Sequence, residues 1–440
     1  MRRVPEIIFF LSLSLSISFF SINYVVAGES EIKTYTIEES IREAFKNNWT
    51  VKTKEEKIEE SRYVKKQARA DFLPGFSTTY TYRREGEVNG IPGTSFVFGT
   101  KDNFQWQGTI TQPLFTGFAI ASAYELAKLG IDISEMELAL EKLDLALNVK
   151  KAYISILKAD KAVEVAESAV ESLKSHLKVA RNFYDVGMIP INDLLKAEVE
   201  LANSEQNLIK ARNATQLARA SFNTILSRPI SDPVSVEDIL DYMPESPDFD
   251  TYYSKATANR PEIKTIDINS LQIDQQIRLA KSKYYPEIAL VYNYTKSGDT
   301  PGVSGSSSLL DTNSWQAIAS LSWSFWDWGK DYYKVRQAES TKIQLANTKK
   351  TLEEGIRLEL KQSILGLEET EKRIPAAKKA VEQGEENLRV SQERYKAQVT
   401  TSTEVLDAQT QLTQAKVNYY SALYDHHLAK AALLRAVGEY

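Results

Sequence analysis

The chain is written twice, and that repetition constrains its fold more than anything else in it. Ala70-Asp71-Phe72-Leu73-Pro74 returns as Lys283-Tyr284-Tyr285-Pro286, and Thr111-Gln112-Pro113-Leu114-Phe115-Thr116 returns as Ser322-Trp323-Ser324-Phe325-Trp326-Asp327. The second match has an offset of 211 residues, and the same 211 carries Phe183-Tyr184 onto Arg394-Tyr395 and Leu195-Lys196-Ala197 onto Leu406-Asp407-Ala408. Self-similarity at one spacing marks a duplicated structural unit. The similarity covers about 36–228 and 251–438. Residues 28–228 are therefore expected to form a first structural repeat and 251–440 a second. A connector over 229–250 joins them, rich in Pro, Asp and Ser, with Pro229, Pro233, Pro244 and Pro247.

Each half reads helix, strand pair, long helix, helix. In the first long helix Ile131, Leu138, Leu145, Ala152, Ala159, Ala166, Leu173 and Ala180 recur every seven residues, with Val149, Ile156, Val163, Val170, Leu177 and Tyr184 four positions on. A seam sustained over that many heptads is a coiled-coil signature, and its alanines let backbones approach closely. The second copy keeps the companion seam as Leu360, Leu367, Ile374, Val381, Leu388 and Tyr395, while its other seam is smaller: Ile356, Ser363, Thr370, Ala377, Gly384, Ser391. Pro375 is expected to bend that helix, since proline lacks a backbone donor and crowds the preceding turn.

Residues 119–184 and 330–395 would each make a rod of ~100 Å at 1.5 Å per residue. No single core is that long. Helices at about 36–70 plus 192–227, and at about 251–283 plus 402–437, nearly match one rod when laid end to end. Each half then pairs one continuous helix with two stacked shorter ones.

The strands bring in the membrane. They are expected at about 76–84, 103–113, 286–296 and 314–325. Phe76, Thr78, Tyr80 and Tyr82 alternate with Ser77, Thr79, Thr81 and Arg83, and Phe104, Trp106 and Ile110 alternate with Gln105, Gln107, Thr109 and Thr111. The second pair repeats this with Ile288, Leu290, Tyr292, Tyr294, Trp315, Ala317, Ala319, Leu321, Trp323 and Phe325 opposed by Gln316, Ser320, Ser322 and Ser324. Strands of ~9–11 residues, apolar outside, polar inside and aromatic at their ends, suit an outer-membrane barrel. A half-buried soluble hairpin alternates in the same way. Four strands cannot close a barrel, and lipid does not tolerate open edges, so several chains must contribute. Two copies would give a barrel filled by side chains; three would leave a wider lumen, which polar inner faces favour. The Gly-, Ser- and Pro-rich segments at about 84–102 and 296–313 are then exposed loops.

The first 27 residues agree with that destination. Arg2 and Arg3, an apolar stretch from Ile7 to Phe20, and Val25-Val26-Ala27 before Gly28 follow the order of a cleavable secretory signal at 1–27. An uncleaved anchor would need ~20 apolar residues, longer than this serine-interrupted core.

Composition then closes other routes. Lys+Arg 54 against Asp+Glu 59 gives a net charge of −5, with no support for a nucleic-acid partner. With Cys 0 there are no disulfides, thiol nucleophiles, Cys-ligated metals or lipid-anchoring amino-terminal cysteine. His176, His426 and His427 are the only histidines, and neighbouring positions on a helix point about 100° apart, so no metal or other cofactor is expected. There is no phosphate-binding loop, dinucleotide glycine pattern or nucleophile elbow, and no enzymatic activity is expected.

The duplicated pattern, the Leu73-Pro74 and Tyr285-Pro286 steps into strands, Gln112-Pro113-Leu114-Phe115, Phe325-Trp326-Asp327-Trp328-Gly329, Tyr184-Asp185-Val186-Gly187-Met188 and Glu404-Val405-Leu406-Asp407-Ala408 resemble the TolC-type outer-membrane efflux proteins over essentially the whole mature chain. The resemblance implies a mainly α fold with membrane β structure: a homotrimer whose twelve-stranded barrel in the outer membrane continues as a twelve-helix periplasmic barrel. It also implies an equatorial region built from the connector and chain ends, and docking to a periplasmic adaptor and an inner-membrane pump of a tripartite efflux or type I secretion system. Val186-Gly187-Met188 is similar to the family's adaptor-contact tip. Glu404 and Asp407 match acids that line the periplasmic entrance, where threefold repetition would give six carboxylates that attract cations. Asp193 matches a tip acid that the family ties to an arginine in the other repeat. Two departures stand out: Ala397-Gln398-Val399 lacks the tip glycine, and Thr400 occupies the arginine position.

The reading is a passive exit duct powered by its partners. A structural or adhesive stalk on a barrel anchor and a periplasmic adaptor are the alternatives, though the compact domains an adaptor carries between its helices are not visible here. The strand register has a direct consequence. Leu290→Arg or Leu321→Arg, on the face assigned to lipid, should impair membrane assembly at a cost of about 2–4 kcal/mol near midplane, while Gln107→Arg or Ser320→Arg should be mild. Heat-modifiable migration of membrane-extracted protein reads the difference, and equal tolerance on both faces would refute the register.

Overall fold

The computed structural model describes residues 33–87, 89–90, 97–98, 100–241, 243–244, 247–305 and 313–440. The leader read at 1–27 lies outside the described residues, as do parts of the loops expected at about 84–102 and 296–313. In chain order the elements are β1 (Thr34–Tyr35), α1 (Ile37–Asn47), α2 (Trp49–Ala70), β2 (Gly75–Arg84), β3 (Asn89–Gly90), β4 (Val97–Phe98), β5 (Asp102–Thr116), α3 (Ala119–Asp185), α4 (Ile191–Ile225), β6 (Ser235–Val236), α5 (Phe249–Asn259), α6 (Pro261–Lys281), β7 (Glu287–Gly298), β8 (Asn313–Ser322), α7 (Lys330–Lys396) and α8 (Ser402–Val437).

The frame is helical. α3 and α7 have 67 residues each. Towards the sheet α3 is flanked by α2 and α6, as Ser61 Oγ to Ser134 Oγ at 2.8 Å and Gln272 Nε2 to the Leu126 carbonyl at 3.4 Å show. Further along it is flanked by α4 and α8, through Arg212–Glu167 at 2.8 Å and the Lys158–Asp425 ion pair. The shorter helices thus stack end to end along the rods. The seams are where chains bury: Leu145, Val149, Ala152, Ile156, Val170, Leu173 and Ala180 in α3, and Ile356, Leu360, Leu367, Thr370, Ile374, Leu388, Ser391 and Tyr395 in α7. Where Gly384 meets α8, an added Cβ would lie 3.3 Å from the Cα of Leu412, so the small seam residue sets the interhelix spacing. α7 continues through Pro375, whose exposed ring points away from the seam.

A belt crosses the middle of these rods. β1 pairs in parallel with β6, joining the amino-terminal end to the connector. The Tyr153 hydroxyl lies 2.9 Å from the Tyr35 carbonyl oxygen and 2.7 Å from that of Glu237, while the Tyr424 hydroxyl donates to Asp238 at 2.8 Å. α1 starts on a capping box, with Thr36 accepting from the Glu39 N–H at 3.2 Å and Glu39 accepting from the Thr36 N–H at 3.4 Å. Phe45 on α1 meets Tyr440 edge-on at 5.3 Å.

The sheet is a four-stranded antiparallel ribbon in the order β2-β5-β7-β8. Its register puts the alternation of all four strands in phase. Ser77–Thr109–Asn293–Gln316 and Thr79–Gln107–Thr295–Ser314 form rows on one face; Phe76–Ile110–Tyr292–Ala317 forms a row on the other. β5 runs on to Thr116, past Pro113, through a bulge between Pro113 and Phe115 that turns Leu114 outward. Trp323–Asp327 lie beyond the end of β8.

The duplication is preserved in backbone conformation even where glycine is not. Gly117 and Trp328, Phe118 and Gly329, Gly187 and Gln398, and Ser227 and Gly438 are four pairs, each 211 residues apart, and all eight have positive φ. A side chain in the left-handed region costs roughly 1–2 kcal/mol. Gln398→Gly is therefore expected to raise thermal stability by about 1 kcal/mol and Gly187→Ala to lower it by a similar amount. Melting curves of the purified protein test this, and a destabilised Gln398→Gly would show that its side-chain contacts outweigh the strain.

Candidate functional site

The end of the rods remote from the sheet carries the residues singled out for the entrance. At the first tip α3 closes with the Gly187 N–H bonded to the Tyr184 carbonyl and the Met188 N–H to that of Phe183, both at 2.8 Å. Gly187 is left-handed with φ 76°, as this closure requires. The second tip makes the same turn without glycine. Gln398 takes φ 61°, its N–H reaching the Tyr395 carbonyl and the Val399 N–H that of Arg394, both at 2.9 Å. The Gln398 amide then reaches Met188 Sδ at 2.8 Å, so the two tips touch. Val186, Met188, Ile191 and Val399 are all exposed, giving this end an apolar rim.

Beneath the rim is a packed plug. Ala180, Leu194, Ala197, Leu388, Tyr395, Val405, Ala408 and Leu412 form one buried cluster drawn from α3, α4, α7 and α8. His176 is buried in it, with Nε2 2.8 Å from Ser402 Oγ and its ring 4.8 Å from that of Tyr395. Burial alone pushes the His176 imidazole down to about 4, so it is neutral. Burial, with the Asp193 carboxylate nearby, pushes the Tyr395 phenol up.

The acids separate into distinct environments. Asp193 and Glu404 are each the third residue of their helix, where unpaired N–H groups favour negative charge. Glu404 is doubly engaged: Oε1 accepts from Arg394 Nη1 at 3.0 Å, and Oε2 accepts from the Thr400 hydroxyl. Asp407 is exposed and has no ion-pair partner among the described residues. Asp193 lies 3.9 Å from Lys196 of its own helix, not against a second-repeat arginine. Thr400 thus stands where the resemblance expects arginine and hydrogen-bonds Glu404. The structure brings Asp193, Glu404 and Asp407 to one end of the molecule. Sequence reading missed Arg394, Lys196 and His176, although the 211-residue alignment puts Lys196 opposite Asp407.

At the other end, Gln107 Nε2 and Thr109 Oγ1 bond Asn293 Oδ1 at 3.2 and 2.8 Å, so the polar face is joined across strands. Both edge strands, β2 and β8, are exposed along their whole length. No described helix is long and apolar enough to cross a membrane. Among the described residues no group of three or more His, Cys, Asp or Glu could hold a metal ion.

The family model for outer membrane efflux proteins matches residues 40–228 and 252–439, one match per repeat. Among solved structures, the CmeC outer membrane channel of Campylobacter jejuni is 16% identical with a TM-score of 0.79, covering 97% of this chain and 94% of that one. The outer membrane protein VceC of Vibrio cholerae is 15% identical with a TM-score of 0.76, covering 92% of this chain and 96% of its own. The open state of the MtrE outer membrane channel of Neisseria gonorrhoeae is 19% identical with a TM-score of 0.75, covering 92% and 89%. At these identities the likeness is one of fold. No curated protein matches by sequence.

The His176–Ser402 contact ties the plug to pH. With its folded pKa near 4, below the ordinary histidine value of 6.5, His176 binds a proton more readily in the unfolded chain. Its contribution is therefore complete above about pH 6.5 and is lost as pH falls towards 4, by up to about 2–3 kcal/mol. The fall in melting temperature between pH 7 and pH 4.5 should shrink in His176→Gln; an unchanged fall would place the pH dependence elsewhere.

Proposed function

The chain belongs to the outer membrane efflux protein family, and we propose that it works as a homotrimer whose three copies close one continuous duct. It is an outer-membrane efflux channel that extends into the periplasm. The observation that carries the trimer is the sheet. β2 and β8 present unpaired backbone along their full length, on a ribbon whose other face is apolar and aromatic. In hydrocarbon each unpaired N–H or C=O costs several kcal/mol, so β2 of one copy must pair with β8 of the next. Eight strands would leave an interior filled by side chains. The rows Ser77–Thr109–Asn293–Gln316 and Thr79–Gln107–Thr295–Ser314 are small to medium and polar, which suits the wetter lumen of twelve strands.

The helices then continue the lumen through the periplasm, and their tips form its inner mouth. The exposed Val186 and Met188 around Gly187 are suited to a periplasmic adaptor that couples the duct to an inner-membrane pump. Val399, at the glycine-free second tip, extends the same apolar rim, so both tips are offered to the adaptor. Asp193, Glu404 and Asp407 line the entrance. The chain acts as a passive conduit, with energy supplied by its partners.

Purified mature protein in mild detergent should have a mass near three times that of one chain and should conduct in planar bilayers. Light scattering with detergent correction measures the first. A stable monomer with full strand content, or a trimer that never conducts, would overturn this reading.

A further inference from the structure

The two tips share a backbone but differ in charge. The offset of 211 residues pairs Asp193 with Glu404, Lys196 with Asp407 and Phe183 with Arg394. Of the two second-tip acids Glu404 is ion-paired to Arg394, while a lysine from α4 reaches the helix that carries Asp407, and the acid pattern alone discloses neither. Glu404 is held by Arg394 at 3.0 Å from the last turn of α7. Lys196, on α4, points across to α8, with Nζ 3.4 Å from Thr403 Oγ1 and 3.9 Å from Asp193 Oδ1. Thr403 lies four residues before Asp407, one turn earlier on the same helix face. The Lys196 ammonium thus stands beside the face from which the Asp407 carboxylate projects.

We propose that Lys196 and Arg394 are specificity-determining residues of the duct: basic groups from α4 and α7 that offset the entrance carboxylates and open the mouth to anionic and zwitterionic solutes as well as cations. This rests on the reading of the hairpin tips as the entrance. Asp193, Glu404 and Asp407 would give three negative charges per chain, but Lys196 and Arg394 leave one. Arg394 lies in the last turn of α7 and the other four groups in the first two turns of α4 and α8, so a solute at the mouth meets their sum and not isolated acids. A ring of acids alone concentrates cations and rejects anions; a mixed ring does neither strongly. Both cations are about half exposed, so removing their charge leaves the plug beneath them intact.

Single-channel recording of the purified trimer tests this with Lys196→Met and Arg394→Gln, which keep most of each side-chain stem, and with Asp407→Asn. Reversal potentials across a potassium chloride gradient give the cation-to-anion permeability ratio, and hexaamminecobalt(III) reports multivalent block. Lys196→Met and Arg394→Gln should each raise the permeability ratio about twofold or more and strengthen block about fivefold, while Asp407→Asn moves both the other way. Lys196→Arg and Arg394→Lys should keep wild-type values. If Asp407→Asn shifts selectivity while neither Lys196→Met nor Arg394→Gln does, the role given to the two cations is wrong and the entrance reading survives. If the channel conducts and no variant shifts it, the tips are not the selective mouth and both ideas fall.

Discussion

Unpaired sheet edges in a medium without water are the constraint on which everything else rests. A four-stranded ribbon with one apolar face can neither remain at a membrane alone nor hide its edges within its own chain, because β2 and β8 are the outermost strands and both are exposed. In the trimer proposed above, symmetry between copies meets this instead of added strands. That choice passes down the molecule. If three ribbons share a cylinder, as proposed, the helices leaving them run side by side around the same axis. The continuity of α3 and α7, and seams with small residues that allow close approach, fit such an arrangement.

Long rods gain little from any one contact, so the middle of the molecule is cross-tied. The connector and both chain ends converge on α3 and α8, with Tyr153 and Tyr424 acting as hydrogen-bonding posts. Nearby, Arg260 is almost fully buried, donating to Glu359 at 2.6 Å, Glu262 at 2.7 Å and the Ala436 carbonyl at 3.3 Å. Arg435 adds Asp144 at 2.9 Å and Glu359 at 3.0 Å. Burial works to raise the Glu262 carboxyl, but the Arg260 hydrogen bond and charge outweigh it and hold it below the ordinary range. Breaking one member of such a network strands a buried charge, so it fixes how α3, α6, α7 and α8 meet more than it adds net stability.

At the far tips, duplication has kept geometry and released chemistry. Gly187 and Gln398 close the same turn, yet only one carries the residue that closes it without strain. The retained strain at Gln398 coincides with its contact to Met188 of the other tip, a link that glycine could not make. The acids diverge similarly: equivalent helix positions carry Asp193 and Glu404, but their counter-charges come from different elements.

The sequence by itself determined the duplication, the strand faces and the rods, because each is a periodic pattern that survives without knowing what lies opposite. In-phase alternation of Phe76, Ile110, Tyr292 and Ala317 needs only a period of two, and the Leu360–Leu367–Ile374 seam only a period of seven. The glycine singled out at the first tip, Gly187, does take left-handed backbone, while Phe118, Ser227, Trp328 and Gln398 take it too without composition announcing it. Only the tertiary structure decided which of the tip acids is ion-paired. Glu404 and Asp407 read as equals along the chain, three residues apart on one helix, but Arg394 reaches Glu404 across the hairpin and Lys196 comes over from α4. Ion pairing depends on which side chains fold to within a few ångströms, and no spacing along a single helix encodes a partner that arrives from another.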